Sequence, residues 1–81
     1  MIAPNLKRLN GLDLSGLDLR RLKLQATRLN GAKLVGSNLD GVMLDQAWAL
    51  NSDFSNASFK GASLFSTQFR GAKLDGANFE K

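Results

Sequence analysis

A Leu or Phe returns at every fifth position of this chain, from residue 9 to residue 79, and this period constrains the fold more than any other feature. We call each such position the centre of a pentad and number its neighbours from −2 to +2. Fourteen of the fifteen centres carry Leu or Phe, with no insertion between them. All eight glycines stand at position +2, and from residue 27 onward position −2 holds only small or β-branched residues. Side-chain size is therefore restricted at three of the five positions.

A period of five fits neither regular element of secondary structure. Successive centres would point about 140° apart on an α-helix, because each residue advances by about 100°. On a strand, an odd period would send alternate centres to opposite faces. The pattern is satisfied if the chain turns once in each pentad, with glycine supplying backbone freedom, so that every centre faces one axis. The sequence therefore predicts a solenoid with a column of stacked side chains as its core.

The large centres are the expected core of this solenoid. The period selects as structural core Leu14, Leu19, Leu24, Leu29, Leu34, Leu39, Leu44, Phe54, Phe59, Leu64, Phe69, Leu74 and Phe79. Ala49 interrupts the series without shifting it, and an empty space at that level would cost roughly 2–5 kcal/mol. We expect either that nearby Phe rings fill the space or that a local distortion turns Leu50 inward, and the sequence leaves both alternatives open.

Several pentads share one consensus, in the order small, polar, Leu or Phe, polar, Gly. Examples are AKLVG at 32–36, SNLDG at 37–41, ASFKG at 57–61 and AKLDG at 72–76. In these residues the chain resembles the pentapeptide-repeat family. The resemblance implies an all-β fold, a right-handed quadrilateral parallel β-helix of about four 20-residue coils. The resemblance covers the fifteen tandem pentads at residues 7–81, and we expect a single domain of residues 1–81 with an N-terminal cap segment at 1–6.

Charged residues support a 20-residue coil, since residues i and i+20 then lie on adjacent rungs. One column before the centres alternates in sign: Asp13, Lys33, Asp53 and Lys73. One column after the centres also alternates: Arg20, Asp40, Lys60 and Glu80. Opposite charges on adjacent rungs are favourable, although an exposed pair contributes only ~0.2–1 kcal/mol. We therefore expect ladders of opposite charge that support this register.

The two ends of the solenoid carry different signals. Leu12, Leu17 and Leu22 replace the small residue at position −2 in the first coil, where larger side chains can close the bottom. Pro4 cannot donate a backbone hydrogen bond and suits an edge. The last pentad is still in frame and no cap follows it. We therefore expect an N-terminal cap and, as one alternative, a homodimer formed through the uncapped C-terminal coil.

Composition excludes several kinds of site. The chain has no Cys, His or Tyr, so it offers no disulfide, no thiolate zinc site and no histidine-based catalytic triad. Its glycines follow the pentad period rather than a phosphate-binding motif. We expect no enzyme activity, no catalytic residues, no metal and no cofactor. No apolar run is long enough to span a membrane and no signal peptide is evident, so we expect a cytoplasmic protein without membrane contact.

One group of residues breaks the pattern of alternating surface charge. It forms a candidate interaction patch of Arg28, Met43, Trp48, Leu50, Phe65 and Arg70. Exposed aromatic residues beside Arg are typical of binding hot spots. The alternative is that Trp48 simply lies under Arg28, an exposed cation–π contact that contributes about 0.5–1 kcal/mol. The sequence leaves both interpretations open.

The leading functional expectation is a non-enzymatic structural or protein-interaction module whose partner is an unknown protein. An alternative that the resemblance implies is a DNA-mimicking modulator of topoisomerase (gyrase), which requires an acidic surface. The formal net charge of +4 speaks against it. A further alternative is weak nucleic-acid binding, because residues 1–41 hold seven basic and three acidic side chains. Basic and acidic residues are interleaved there, so we do not expect nucleic acid to be the partner.

Overall fold

The structure is a computed structural model that describes residues 8–80. Within this range the backbone contains no helix and no extended strand, and pairing occurs as isolated parallel bridges. Every bridge joins residue i to residue i+20, as in Arg8 with Arg28 and Asp53 with Lys73. The coil therefore has the 20-residue register that the charged columns predict. The cap segment expected at 1–6 lies outside the described residues.

The bridges stand in four columns, and each column marks one wall of the solenoid. Wall 1 comprises residues 8–11, 27–31, 47–51 and 67–71. Wall 2 comprises residues 12–16, 32–36, 52–56 and 72–76. Wall 3 comprises residues 17–21, 37–41, 57–61 and 77–80, and wall 4 comprises residues 22–26, 42–46 and 62–66. The bridging residue is always at position −1, directly before the centre.

The chain turns at positions +1 and +2 of each pentad. The N–H of the next position −2 donates to the C=O of the centre, for example from Val42 to Leu39 at 3.0 Å. Fourteen turns fall within the described range, and the residue at position +2 has a positive φ in each, as in Gly36 at 67°. A positive φ at the third turn residue is the type II pattern, which favours glycine. This conformation is the physical reason why the glycines keep the period of five.

The interior is filled by the centres and by the small residues at position −2. The centres of the middle coils are buried, and among them Leu34, Leu44 and Phe54 are completely so. Leu14, Leu19, Leu64, Phe69 and Leu74, in the outer coils, are half-buried against this core. Small side chains such as Ala32 and Ala47 are also fully buried. They leave room for the larger centres, which explains the size restriction at position −2.

Phe79 departs from the expectation that every large centre lies in the core. It is 47% exposed, and its ring stacks on that of Phe59 with centroids 5.0 Å apart and planes 3° from parallel. No coil lies beyond it within residues 8–80, so one side of the ring is uncovered. The Leu residues at position −2 of the first coil behave similarly, with Leu12 and Leu17 each 45% exposed.

Ala49 keeps the register of the coil. Its side chain is fully buried, and its N–H donates to the Gln68 carbonyl at 2.8 Å as in every other rung. Leu50 is only half-buried and does not pack against the core. A cluster of Phe rings occupies the interior nearby, with centroids 5.3 Å apart for Phe54 and Phe59 and 5.7 Å apart for Phe54 and Phe69. The structure thus shows aromatic packing in place of a missing Leu and no inward turn of Leu50.

Three of the four hydroxyl groups at position −2 find an acceptor inside the solenoid, whereas the buried hydroxyl of Thr27 has none among residues 8–80. Ser37 donates to the Leu14 carbonyl at 2.7 Å, and Thr67 donates to the Leu44 carbonyl at 2.8 Å. Ser52 makes the same bond to the Leu29 carbonyl. Each acceptor lies 23 residues before its donor, so these bonds tie one coil to the previous one. Because a buried hydroxyl without a partner is costly, this pattern lets Ser and Thr replace Ala at position −2.

Across residues 8–80, no helix has the length and apolar character needed to cross a bilayer.

Candidate interaction surface on wall 1

Wall 1 differs from the other walls in its charge. It carries three arginines and no acidic residue. Wall 2 carries two lysines and three aspartates, wall 3 carries three basic and three acidic residues, and wall 4 carries one of each. Within residues 8–80, the basic excess therefore lies on wall 1, whose arginines are Arg8, Arg28 and Arg70.

Trp48 lies in the middle of wall 1. Its backbone is paired with Arg28 on one side and with Gln68 on the other, and its N–H donates to the Thr27 carbonyl at 2.9 Å. The Cζ atom of Arg28 lies 5.6 Å from the centroid of the Trp48 ring, within range of a cation–π interaction. The Trp48 side chain nevertheless remains 41% exposed. The Arg28 contact therefore orients the ring without removing it from the surface.

The column of position −1 on wall 1 places like charges side by side. Arg8 pairs with Arg28 across adjacent rungs, at the ~4.8 Å spacing of neighbouring strands. The equivalent columns elsewhere avoid this arrangement, since Asp13, Lys33 and Asp53 alternate on wall 2. Like charges directly opposite each other are destabilising. The Arg8–Arg28 pair therefore lowers the stability of the fold locally, and the fold does not depend on it.

The predicted patch is spread over two adjacent walls. Arg28, Trp48, Leu50 and Arg70 belong to wall 1, and the first two are in contact. Phe65 belongs to wall 4 and is the most exposed large apolar side chain, at 77%. Met43 also belongs to wall 4 but is half-buried, with Gln25 Nε2 at 3.6 Å from its sulfur. The structure therefore divides the patch at a corner, with Trp48 and Phe65 as its exposed aromatic groups.

Asp45 has a structural role next to this patch. Its Oδ1 accepts hydrogen bonds from the Ser63 hydroxyl at 2.7 Å and from the Phe65 N–H at 2.9 Å. The same kind of bond recurs on other walls, where a side chain at position +1 accepts the N–H of the residue one coil later. On wall 1, Asn30 accepts the Leu50 N–H in this way at 2.9 Å. Many of the polar surface residues therefore satisfy backbone groups and are not free for a partner.

The predicted columns of opposite charge are confirmed, because the alternating residues of wall 2 are bridge partners on adjacent rungs. Among residues 8–80, the single ion pair joins Arg20 to Asp18, at 2.8 Å. Asp40 instead accepts the Ser58 hydroxyl and the Lys60 N–H. Asp53 accepts both the N–H and the hydroxyl of Ser55. The carboxylates bond to nearby backbone and hydroxyl donors because these are fixed by the turn, whereas lysine side chains would have to be ordered.

These hydrogen bonds lower the pKa of the aspartates. The Ser58 hydroxyl is the largest cause for Asp40, and the Ser55 hydroxyl is the largest cause for Asp53. The backbone N–H of Ser15 lowers the pKa of Asp13, and the Arg20 guanidinium lowers that of Asp18. All four carboxyl groups are therefore charged near neutral pH, and none has the raised pKa typical of a general acid.

An open groove of about 660 Å³ lies on wall 3. It is lined by Asp18, Arg20, Arg21, Asp40, Gly41 and Lys60. Sequence reasoning did not single out this groove, and its one unusual residue is Arg21, which occupies a turn position with φ at 61°. Charges of both signs line the groove and Arg20 is already paired with Asp18, so it lacks the uniform charge of wall 1. No group of residues suited to hold a metal ion occurs within 8–80.

Comparisons with known proteins agree with this architecture. The family model described as pentapeptide repeats matches in eight copies, over residues 8–41, 23–48 and 50–80. No curated protein is similar enough to count as a match.

Three solved pentapeptide repeat proteins from cyanobacteria are similar in structure. Rfr23 from Cyanothece 51142 is 27% identical over 89% of this chain, with a TM-score of 0.60. The protein alr5209 from Nostoc PCC 7120 is 32% identical over 93% of the chain, with a TM-score of 0.58. HetL from Nostoc sp. PCC 7120, involved in regulation of heterocyst differentiation, is 31% identical over 86%, with a TM-score of 0.56.

The chain spans only part of the length of each of these structures: 53% of Rfr23, 66% of alr5209 and 37% of HetL. The family model covers most of residues 8–80, and alr5209 is more than 30% identical over most of the chain. The chain belongs to the pentapeptide-repeat family, whose solved members fold as right-handed quadrilateral β-helices.

Proposed function

We propose that this chain is a non-enzymatic protein-interaction module and that wall 1 is its contact surface. The observation that carries the proposal is Trp48, an exposed aromatic side chain held against Arg28 on a wall without acidic residues. Trp and Arg are the residue types most enriched among interface hot spots. Phe65, on the adjacent wall, extends the surface around the corner.

The rigidity of the fold supports a binding role. Each rung is tied to the next by backbone hydrogen bonds, such as Leu29 to Trp48 at 2.6 Å and Ala49 to Gln68 at 2.8 Å. Wall 1 is thus ordered before a partner arrives, which reduces the entropy lost on binding. We infer from the register that this surface belongs to a solenoid of about four 20-residue coils.

The similar structures favour binding over catalysis. HetL is involved in regulating heterocyst differentiation, a role that a binding protein can perform without catalysis. We propose the same general mode for this chain, in which a rigid wall displays residues to a protein partner. Asp40 and Asp53, whose pKa values are lowered by hydrogen bonds, do not offer the general acid that a hydrolytic site requires.

Mimicry of DNA is not favoured by the charge of the walls. A DNA mimic must present an extended acidic surface, whereas wall 1 is basic and walls 3 and 4 are balanced. We expect no inhibition or protection of DNA gyrase by micromolar protein in a supercoiling assay.

A binding experiment with matched variants tests the proposal. The wild-type protein is immobilised, and bound partners are compared with those of Trp48→Ala, Phe65→Ala and Val35→Ala. Val35 is a matched control because it is an exposed apolar residue on wall 2, at 37%. We expect Trp48→Ala to weaken binding of the recovered partner at least about tenfold, equivalent to ~1.4 kcal/mol, and Val35→Ala to leave it unchanged.

Equal recovery by the wild type and by Trp48→Ala would contradict the proposal. Light scattering on the same samples shows whether the partner is a second copy of the chain. Circular dichroism of each variant verifies that the solenoid is intact, so that a loss of binding reports on the surface.

A further inference from the structure

We infer that wall 1 recognises a short acidic segment of a partner protein. This inference names the chemistry of the partner and rests on the proposed function of wall 1 as the contact surface. It is carried by three features of the described residues: the separation of charge between walls, the adjacent Arg8 and Arg28, and the exposed ring of Trp48.

The charge of wall 1 is uncompensated. Its flanking walls do not supply enough acid to balance three arginines, because wall 4 is balanced and wall 2 has only one more aspartate than lysines. Within residues 8–80 the guanidinium groups of Arg8, Arg28 and Arg70 make no ion pair, since the one pair present joins Arg20 to Asp18. A carboxylate from outside the chain would therefore meet cationic donors that have no competing carboxylate on the wall.

Arg8 and Arg28 lie one rung apart, so their guanidinium groups can approach the same carboxylate. Guanidinium groups bind carboxylates through two parallel N–H bonds, and one carboxylate has enough lone pairs for both arginines. A bound carboxylate removes the repulsion that this pair creates in the free protein. The arrangement resembles the alternating column of wall 2, with the acidic residue supplied by the partner.

The size of the wall sets the length of the segment. From the first rung to the fourth, wall 1 extends about 14 Å at ~4.8 Å per rung, which an extended peptide covers with about four residues. Trp48 and Leu50 lie between the arginines of the lower and upper rungs. An apolar residue flanked by acidic residues therefore matches the order of groups on the wall.

A peptide fits this surface better than a nucleic-acid strand. Nucleic-acid grooves combine a continuous basic track with several aromatic rings on which successive bases stack. On wall 1, Trp48 is the sole aromatic group outside the core, and one side of its ring is occupied by Arg28. The excess of basic over acidic residues is also confined to wall 1, so a longer strand would meet the aspartates of wall 2.

A titration monitored by Trp48 fluorescence tests the inference. Trp48 is the only tryptophan of the chain, so its emission reports directly on wall 1. The probe is the blocked peptide Glu-Glu-Phe-Glu-Glu, compared with Gln-Gln-Phe-Gln-Gln and with a five-nucleotide oligothymidylate. We expect saturable binding of the acidic peptide, at least about fivefold weaker binding of the other two probes, and progressive loss of binding as salt screens the charges.

Two double variants distinguish the effect of wall 1 on peptide binding from the effect of the protein's overall charge. Arg8→Gln/Arg28→Gln and Lys33→Gln/Lys73→Gln each remove two positive charges from a position −1 column, on walls 1 and 2 respectively. We expect the arginine variant to bind the acidic peptide at least about tenfold more weakly and the lysine variant to lose less than about threefold. The thermal midpoint of the arginine variant should be unchanged or higher, because like charges are removed. Should that variant fail to fold, Arg70→Gln replaces it.

The outcomes distinguish this inference from the proposed function. Equal losses in the two double variants, equal binding of the Gln peptide, or tighter binding of oligothymidylate would each overturn the acidic-segment inference. If Trp48→Ala still abolishes binding of a protein partner but Arg8→Gln/Arg28→Gln leaves that binding unchanged, the proposed interaction module stands. Only the inference of an acidic segment is then wrong. If Trp48→Ala changes nothing, the proposed function itself fails.

Discussion

At the scale of single residues, position +2 determines whether the chain can turn. Six turns place a non-glycine residue there with positive φ: Arg21, Ala26, Gln46, Asn51, Asn56 and Ser66. The left-handed conformation costs roughly 1–2 kcal/mol for most residues, whereas Asn tolerates it. The remaining eight turns use glycine. The four of these positions that do not carry Asn therefore reduce stability locally without breaking the period.

The first prediction compares opposite substitutions at two turns. Gln46→Gly should raise the free energy of unfolding by up to about 1 kcal/mol, because it removes strain at φ 63°. Gly36→Ala should lower it by about 1–2 kcal/mol through strain alone, since nothing lies within 4 Å of the added methyl group. Urea unfolding at 25 °C measures both. A neutral Gly36→Ala variant would show that the turn tolerates other conformations.

A third variant separates strain from steric overlap. A methyl group at Gly71 would overlap the amide oxygen of Asn51 in the coil before it. Gly71→Ala should therefore destabilise the protein more than Gly36→Ala, and adding Asn51→Gly should recover the difference.

At the scale of rungs and walls, the aromatic cluster compensates for Ala49. Phe69 lies one coil after Ala49 on the same wall, and its ring meets those of Phe54 and Phe59, with centroids 5.7 and 6.4 Å away. Edge-to-face arrangements at these distances are favourable for aromatic pairs. The interior at this level is therefore filled by larger rings around a smaller residue.

The second prediction tests this compensation with a double-mutant cycle. Ala49→Leu should overpack the interior and cost about 1–3 kcal/mol. Phe54→Leu should also destabilise, because it removes a fully buried ring. The double variant should be less destabilised than the two losses combined, by about 1 kcal/mol, since the new Leu uses the vacated space. Additive losses in urea unfolding would show that Phe54 does not fill the space beside Ala49.

Some features of the walls could be predicted from the sequence and others could not. The centres, the glycine turns and the 20-residue register follow from side-chain size and charge, since each repeats with the coil. The alternating charge columns are likewise confirmed by bridges such as that of Lys33 with Asp53, whereas the hydrogen bonds of Asp40 with Ser58 and Lys60 were not predicted. The register also predicts that Phe65 lies on the wall adjacent to that of Trp48, as the structure confirms. It does not show that Met43 is half-buried, because this depends on how side chains bend over neighbouring rungs.

At the scale of the whole molecule, stability depends on pH through the aspartates. Hydrogen bonds lower the folded-state pKa of Asp13, Asp18, Asp40 and Asp53. A lowered pKa contributes stability that is complete above the unfolded value of about 3.9 and is lost as pH falls through the folded pKa. The chain has no His, so no side chain with an ordinary pKa titrates between pH 5 and 8.

The third prediction is a thermal midpoint that stays constant from about pH 8 to pH 5 and falls below about pH 4. Asp40→Asn should reduce this fall, because an amide oxygen can still accept from Ser58 and Lys60 without being titrated. Thermal unfolding by circular dichroism across this range provides the measurement. A midpoint that falls between pH 7 and pH 5 would contradict this assignment of the titrating groups.

The central claim is that residues 20 positions apart lie on adjacent rungs of one wall, and disulfide formation tests it most directly. The chain has no Cys, so an introduced pair of cysteines cannot form a disulfide with a native cysteine of the same chain. Lys33→Cys/Asp53→Cys joins bridge partners on wall 2, at a strand spacing of ~4.8 Å that suits a disulfide. We predict rapid closure of this pair under mild oxidation and none for Lys33→Cys/Ser58→Cys, which joins different walls. Failure of the first pair, or closure of the second in its place, would contradict the four-walled solenoid.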